Sequence, residues 1–180
     1  MIKTILVPTD GSNHAKEAIT LACDLAAKYD ARIVFLHVLL RGALAADLRN
    51  IIDVTKLPNP IRDDLDRSEE MQMSAAAAGA ATAYGAVPTM IALSDDVLVA
   101  VGNALLEDAE TRAKSVGVNN VGIDIKQGDP AKCILATIDE ESADFVVMGS
   151  RGLSDLKGLL MGSVSHKVSH LAPCTCVTVK

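Results

Sequence analysis

The sequence predicts a doubly wound α/β domain: an open, mostly parallel sheet with helices on both faces. Three observations point there. Five short runs rich in Val, Ile and Leu fall at 3–8, 32–39, 120–127, 143–149 and 174–180, and helical patterns separate them. Runs such as TILVP, RIVFLHVLL and DFVVMG are nearly continuous in apolar residues instead of alternating, as expected of strands buried on both faces. Strand and helix alternate along the chain, which calls for right-handed crossovers and a parallel sheet.

The elements follow in order. After the first run, Ser12 or Asn13 can cap a helix whose apolar residues Ala15, Ala18, Ile19, Ala22, Leu25 and Ala26 form one buried stripe. The second run ends at His37, Val38 and Leu39. Residues 41–94 then exceed any ordinary connection and read as an insertion within a single domain spanning 1–180. Its charged part, LPNPIRDDLDRSEE, reads as a loop leading into a helix. Its Ala-rich part, MQMSAAAAGAATAYGAVP, has high helix propensity and weak amphipathicity, so the insertion is expected to be helical in pieces. A long helix over 95–116 carries Leu98, Val101, Leu105, Ala109 and Ala113. Asp129 and Pro130, a cap and a first helical residue, open a helix with Ala131, Ile134, Leu135 and Ile138 inward. A last helix over 163–171 is stopped by Pro173, with Ser163 expected as its cap.

Composition removes several functional classes. A formal charge of −6 without a visible Lys/Arg cluster argues against nucleic-acid binding. The apolar windows fall short of the roughly 20 residues of a membrane span, and the opening MIKTILVPTDG lacks the features of a signal peptide. Cys23, Cys133, Cys174 and Cys176 form no CxxC or zinc-like spacing and read as small buried hydrophobes, which suits a reducing cytoplasm. His37 sits in an apolar run and reads as a core histidine with its hydrogen bonds satisfied. His14, His166 and His170 lie on helices without carboxylates at metal spacing, so no metal site built from side chains is expected.

The chemistry concentrates where strand ends meet. In open α/β sheets ligands lie beyond the carboxyl ends of the strands. Three segments converge there: Pro8-Thr9-Asp10-Gly11-Ser12, His37-Val38-Leu39 and Met148-Gly149-Ser150-Arg151-Gly152, the last leading to Gly162-Ser163-Val164-Ser165. Glycines let backbone N–H groups approach phosphate oxygens, and a helix N-terminus offers unpaired donors and partial positive charge. Ser163 and Ser165 add hydroxyl donors. Asp10 can take a ribose hydroxyl or a hydrated Mg²⁺, or simply cap the first helix. Arg151 reads either as a phosphate ligand or as a solvated cation, and Lys157 as a surface residue. GxxxxGK[ST] is absent, and PTDGS rather than GxGxxG follows the first strand, so neither a P-loop nor a dinucleotide fingerprint is present.

Gly149-x2-Gly152-x9-Gly162-Ser163, together with ILVPTDGS, LHV, QGDPAKCIL, DFVVMGSRG, LMGSVSHKV and APCTCVTVK, resembles the ATP-binding universal stress proteins over nearly the whole chain. Residues 41–94 depart from that pattern by their length, and Cys-Thr-Cys replaces a more usual Pro-Val. The resemblance implies a Rossmann-like five-stranded parallel sheet in the order 3-2-1-4-5 that binds ATP. It places Pro8, Thr9 and Asp10 on the adenosine side and Val38 against adenine through its backbone. Met148, Gly149, Arg151 and Gly152 would form the near wall, and Gly162, Ser163, Val164 and Ser165 the phosphate cradle. It also implies a homodimer through Thr175–Val179. The expected role is a nucleotide-sensing regulatory module with an unknown protein partner and slow or no hydrolysis. The alternatives are an interaction scaffold working through 41–94, or a sensor of AMP or cyclic AMP.

Overall fold

The computed structural model describes residues 2–80, 92–153 and 161–180. It divides into two compact units, Met1–Leu39 with Leu105–Lys180, and Leu40–Ala104.

The first unit holds five strands: β1 (Thr4–Pro8), β2 (Arg32–Val38), β3 (Val121–Lys126), β4 (Phe145–Gly149) and β5 (Thr175–Val179). They form one sheet in the order β3-β2-β1-β4-β5, with every neighbouring pair parallel. Its helices are α1 (Asn13–Tyr29), α5 (Pro130–Glu141), α6 (Ser163–Leu171) and the second half of α4 (Asp95–Ser115). Between α1 and α4 the chain forms α2 (Ala45–Ile51) and α3 (Asn59–Ala80), both in the second unit.

Alternation along the strands divides the core between the two faces of the sheet. Ile5, Val7, Ile33, Phe35 and Val147 pack on one face with Ala18, Ile19, Ala22, Cys23 and Ala26 of α1 and Leu106, Ala109 and Ala113 of α4. On the other face, Leu6, Val34, Leu36, Val146 and Met148 meet Ala131, Ile134 and Ile138 of α5 and Val168 of α6. Small residues on α1 let that helix approach the sheet closely, which is how a domain with so few aromatics fills its interior. Cys174 and Cys176 pack against the second cluster. Burial pushes the thiol pKa of Cys23 and of Cys174 up to about 11.

Ser12 caps α1, its hydroxyl accepting from Ala15 N at 3.3 Å. Asp129 caps α5, accepting from Lys132 N at 2.8 Å. The expected cap at Ser163 is displaced by one residue: Gly162 is the cap of α6 and Ser163 its first helical residue.

The second unit is helical in pieces. Ala45, Leu48 and Ile51 of α2 and Leu65 of α3 are buried, and Arg49 of α2 pairs with Asp66 and Glu69 of α3. A 3-10 turn at Val54–Lys56 is capped by Asp53. The charged stretch expected as a loop is already helix from Asn59. Pro60 falls in the first turn, where its missing N–H is harmless. The charges of α3 pair within the helix, as Asp64 does with Arg67, or with α2 through Arg49, while Leu65 is buried. The remainder of the Ala-rich stretch, 81–88, and Lys157 lie outside the described residues.

Candidate functional site

The sheet opens where its strand order reverses. β1 pairs with β4 only at Ile5↔Phe145 and Leu6↔Val146, whereas its pairing with β2 continues to Pro8↔Leu36. The last residues of β1 and β4 are therefore not paired with each other at the carboxyl edge, where α/β sheets accept ligands in a crevice.

Three loops line it. Beyond β1, Thr9 is buried; its N–H donates to Leu36 O at 2.8 Å and its hydroxyl accepts from Gly11 N at 3.3 Å. Gly11 has φ 79°, a left-handed conformation that turns the chain into α1. Asp10 holds two loops together: Oδ1 accepts from Ser12 N at 3.0 Å and Oδ2 from Leu153 N at 3.1 Å. Pro8 and Val38 stand at the ends of their strands, with the Val38 side chain turned into the core.

Beyond β4, Met148 is buried while Gly149 lies against α1. A Cβ on Gly149 would come within 2.9 Å of Ala15 N, His14 C and His14 Cβ. One on Gly152 would collide with Asp10 Oδ2. The glycines at 149 and 152 thus have reasons within the protein's own packing. Gly162 does not: among the described residues a Cβ there would meet only ordinary contacts at 3.6 Å, and its φ of −76° suits any residue.

Ser150 organises the loop, although the sequence reading passed over it. It is 1% exposed; its N–H donates to Val179 O at 2.6 Å, and its carbonyl accepts from Gly162 N at 2.8 Å and from the Ser165 hydroxyl at 2.6 Å. Ser165, expected to offer its hydroxyl to a ligand, is buried and also reaches Gly162 O at 3.0 Å, so its one proton is held by backbone carbonyls. Ser163 is exposed and Val164 half-buried. Gly162 has no side chain with which to cap α6, and among the described residues the first N–H groups of the helix, which have no intrahelical acceptor, are given no side-chain cap.

His14 was also passed over as a member of this site. Its Nδ1 lies 3.0 Å from Ser150 Oγ and its Nε2 3.3 Å from Arg151 Nη2. The signal available in the sequence was its place in the first turn of the helix that directly follows PTDGS.

His37 differs from expectation in one respect. It is buried and its Nδ1 donates to Thr9 O at 2.9 Å, but Nε2 has no hydrogen-bond partner among the described residues. Burial lowers its pKa, against smaller opposing effects of the Thr9 carbonyl and the Asp10 charge. Among the described residues no group of three His, Cys, Asp or Glu is placed to hold a metal ion, and no helix is long and apolar enough to cross a membrane.

The family model for the universal stress protein family matches residues 1–180. The universal stress protein YxiE of Bacillus subtilis is 27% identical over 180 residues, covering all of both chains. Among solved structures, a universal stress protein in complex with cAMP superposes with a TM-score of 0.57 at 22% identity, covering 99% of this chain and 97% of its own. A universal stress protein family protein from Arabidopsis thaliana with AMP bound gives 0.58 at 22% identity, covering 99% and 91%. The sheet order agrees with that fold, and the match over the full length shows that the chain belongs to the universal stress protein family.

Proposed function

We propose that the chain binds an adenine nucleotide in the crevice between β1 and β4, with ATP as the ligand, its adenosine beside Pro8, Thr9, Asp10 and Val38. The near wall is Met148, Gly149, Arg151 and Gly152, and the phosphates lie over Gly162, Ser163, Val164 and Ser165. Occupancy of the site is what the protein reports, as a regulatory module in a stress response.

The observation that carries this reading is Gly162. Neither packing nor backbone conformation within the described chain demands glycine there, and among the described residues no side chain caps the start of α6. A missing Cβ beside the N–H donors of a helix start and its partial positive charge suits an anion. Asp10 retains a second lone pair on each oxygen and so can still take a ribose hydroxyl or a water of Mg²⁺.

Turnover is slow or absent on this reading. Asp10 and His14, the carboxylate and the imidazole at the cradle, are both engaged with the glycine loop instead of being poised to move a proton. The edge strand β5, which pairs only with β4, is the proposed dimer contact. The four free cysteines accord with a cytoplasmic location. A second reading, AMP or cyclic AMP as the ligand, is favoured by the two ligands named for the related structures.

The test compares wild type with Gly162→Asp by native mass spectrometry and thermal unfolding, each with Mg-ATP, AMP and cyclic AMP. Aspartate is a good N-cap, so the variant should fold as well as wild type, while its carboxylate occupies the donors that a phosphate needs. Wild type at 100 times Kd should gain about 2.7 kcal/mol, or roughly 5–11 °C in Tm, and the variant nothing. Undiminished ATP binding by the variant removes the cradle assignment, and tighter binding of AMP or cyclic AMP by wild type selects the second reading.

A further inference from the structure

We infer that His37 is a positioning residue: its imidazole takes the Thr9 carbonyl in place of the Val38 N–H, which leaves that N–H at the carboxyl edge of the sheet for the base of the nucleotide. The inference rests on the nucleotide reading and assigns a role to a buried side chain outside the glycine motif.

The hydrogen-bond ladder carries it. Successive amides of a strand point to opposite neighbours. On β2 the N–H groups of Ile33 and Leu39 donate toward β3, to Asn120 O at 3.0 Å and Lys126 O at 2.9 Å. That of Arg32 donates to Lys3 O at 2.8 Å, on the β1 side, so the even-numbered amides of β2 face β1. Thr9 N continues the series, donating to Leu36 O at 2.8 Å. The next bond would run from Val38 N to Thr9 O. It does not form: β1 and β2 pair only as far as Pro8↔Leu36, although β2 stays paired with β3 to Val38↔Lys126. Among the described residues the Val38 N–H has no hydrogen-bond acceptor.

A side chain stands in place of the missing bond. A carbonyl only accepts, so His37 Nδ1, 2.9 Å from Thr9 O, carries the proton of a neutral imidazole. Thr9 is buried, and without that proton its carbonyl would lack a partner unless the Val38 N–H closed the ladder. The imidazole is a costly way to satisfy it, because Nε2 is left buried without a partner among the described residues. A leucine at 37 would avoid that cost and let the sheet close one bond further. The histidine thus keeps an unpaired donor on the β1 side of β2, where the adenosine is proposed to lie. That donor selects among bases: adenine offers a bare ring nitrogen at N1, whereas N1 of hypoxanthine carries a proton of its own and leaves the donor unmatched.

The experiment follows amide hydrogen exchange by NMR in the ligand-free wild type, His37→Leu, His37→Phe and His37→Asn, and compares binding of Mg-ATP and Mg-ITP to each by calorimetry. In wild type the Val38 amide should exchange faster than that of Leu39, which is bonded to Lys126 O. Leucine and phenylalanine should each slow Val38 exchange by on the order of tenfold, weaken ATP by a similar factor and leave ITP within about twofold. Asparagine, whose amide nitrogen can stand near the place of Nδ1, should keep wild-type exchange and affinity. A Val38 amide in wild type as protected as that of Leu39, or ATP and ITP weakened alike by the apolar variants, overturns the positioning role while leaving nucleotide binding intact. A wild-type protein that binds neither nucleotide overturns the nucleotide reading and this inference with it.

Discussion

Gly152→Ala tests whether the glycine loop is held by Asp10. The backbone at position 152 accepts an L-residue, since its φ lies outside the left-handed region. The obstacle is one atom, Asp10 Oδ2, which would stand closer to the new Cβ than any real contact allows. That atom ends a side chain able to rotate, so the clash is relieved by turning the carboxylate away. Turning it breaks the 3.1 Å bond from Leu153 N. A hydrogen bond to a charged acceptor contributes roughly 1.5–3 kcal/mol, and Asp10 is only half-buried, which favours the lower end. The expected cost is about 1.5 kcal/mol, or roughly 3–6 °C in Tm for a chain of this length. Urea unfolding of wild type, Gly152→Ala, Asp10→Ala and the double variant completes a cycle. With Asp10 already truncated, the methyl at 152 meets no oxygen and should cost almost nothing, so the coupling energy should approach the whole of that figure. An equal cost in both backgrounds would refute the clamp.

Two further outcomes follow from the same geometry. Ser165→Ala removes the hydroxyl proton shared by Ser150 O and Gly162 O, so unfolding should show a loss of about 1–2 kcal/mol; an unchanged urea midpoint would mean that Gly162 N alone satisfies the Ser150 carbonyl. His37 is buried with its pKa below the ordinary 6.5, so between that value and its native pKa the unfolded state binds more protons and stability falls as pH drops. Stability measured from pH 7 to pH 5 should fall less in His37→Asn, whereas the carboxylates of Asp53, Asp129 and Asp144, held below 3.8 by hydrogen bonds, act in a lower window.

What the sequence made legible depended on how far the deciding contact lies along the chain. The strands were readable because burial on both faces leaves an uninterrupted apolar run, as in RIVFLHV. The starts of α1 and α5 were readable because Ser12 and Asp129 cap residues only three positions away. A helix was expected to follow a loop in LPNPIRDDLDRSEE, but α3 starts earlier, at Asn59, because dense charges resemble a loop when Leu65 is not yet known to be buried. His14 and Ser150 were invisible as a pair because they lie 136 residues apart and neither belongs to a local pattern. The lack of a partner for His37 Nε2 among the described residues was hidden for the same reason, since it depends on contacts distant in the chain.

The glycine motif itself changes meaning once the contacts are known. Read along the chain, its three glycines serve one purpose, making room for phosphate. In the folded protein Gly149 admits the start of α1 and Gly152 admits the Asp10 carboxylate, so two of the three shape the loop through its own packing. The side chains divide similarly. Asp10, Ser165 and Thr9 bond to backbone atoms of the crevice, and Ser150 joins its loop to α1, β5 and α6. Under the proposed function, anion recognition then falls to backbone N–H groups at the start of α6 and to the space at Gly162. Such a site is built before the ligand arrives, because its walls are already hydrogen-bonded to one another. Substitutions at 149 and 152 should therefore be felt first as lost stability. Of the three, only a substitution at 162 should alter binding while the fold is kept.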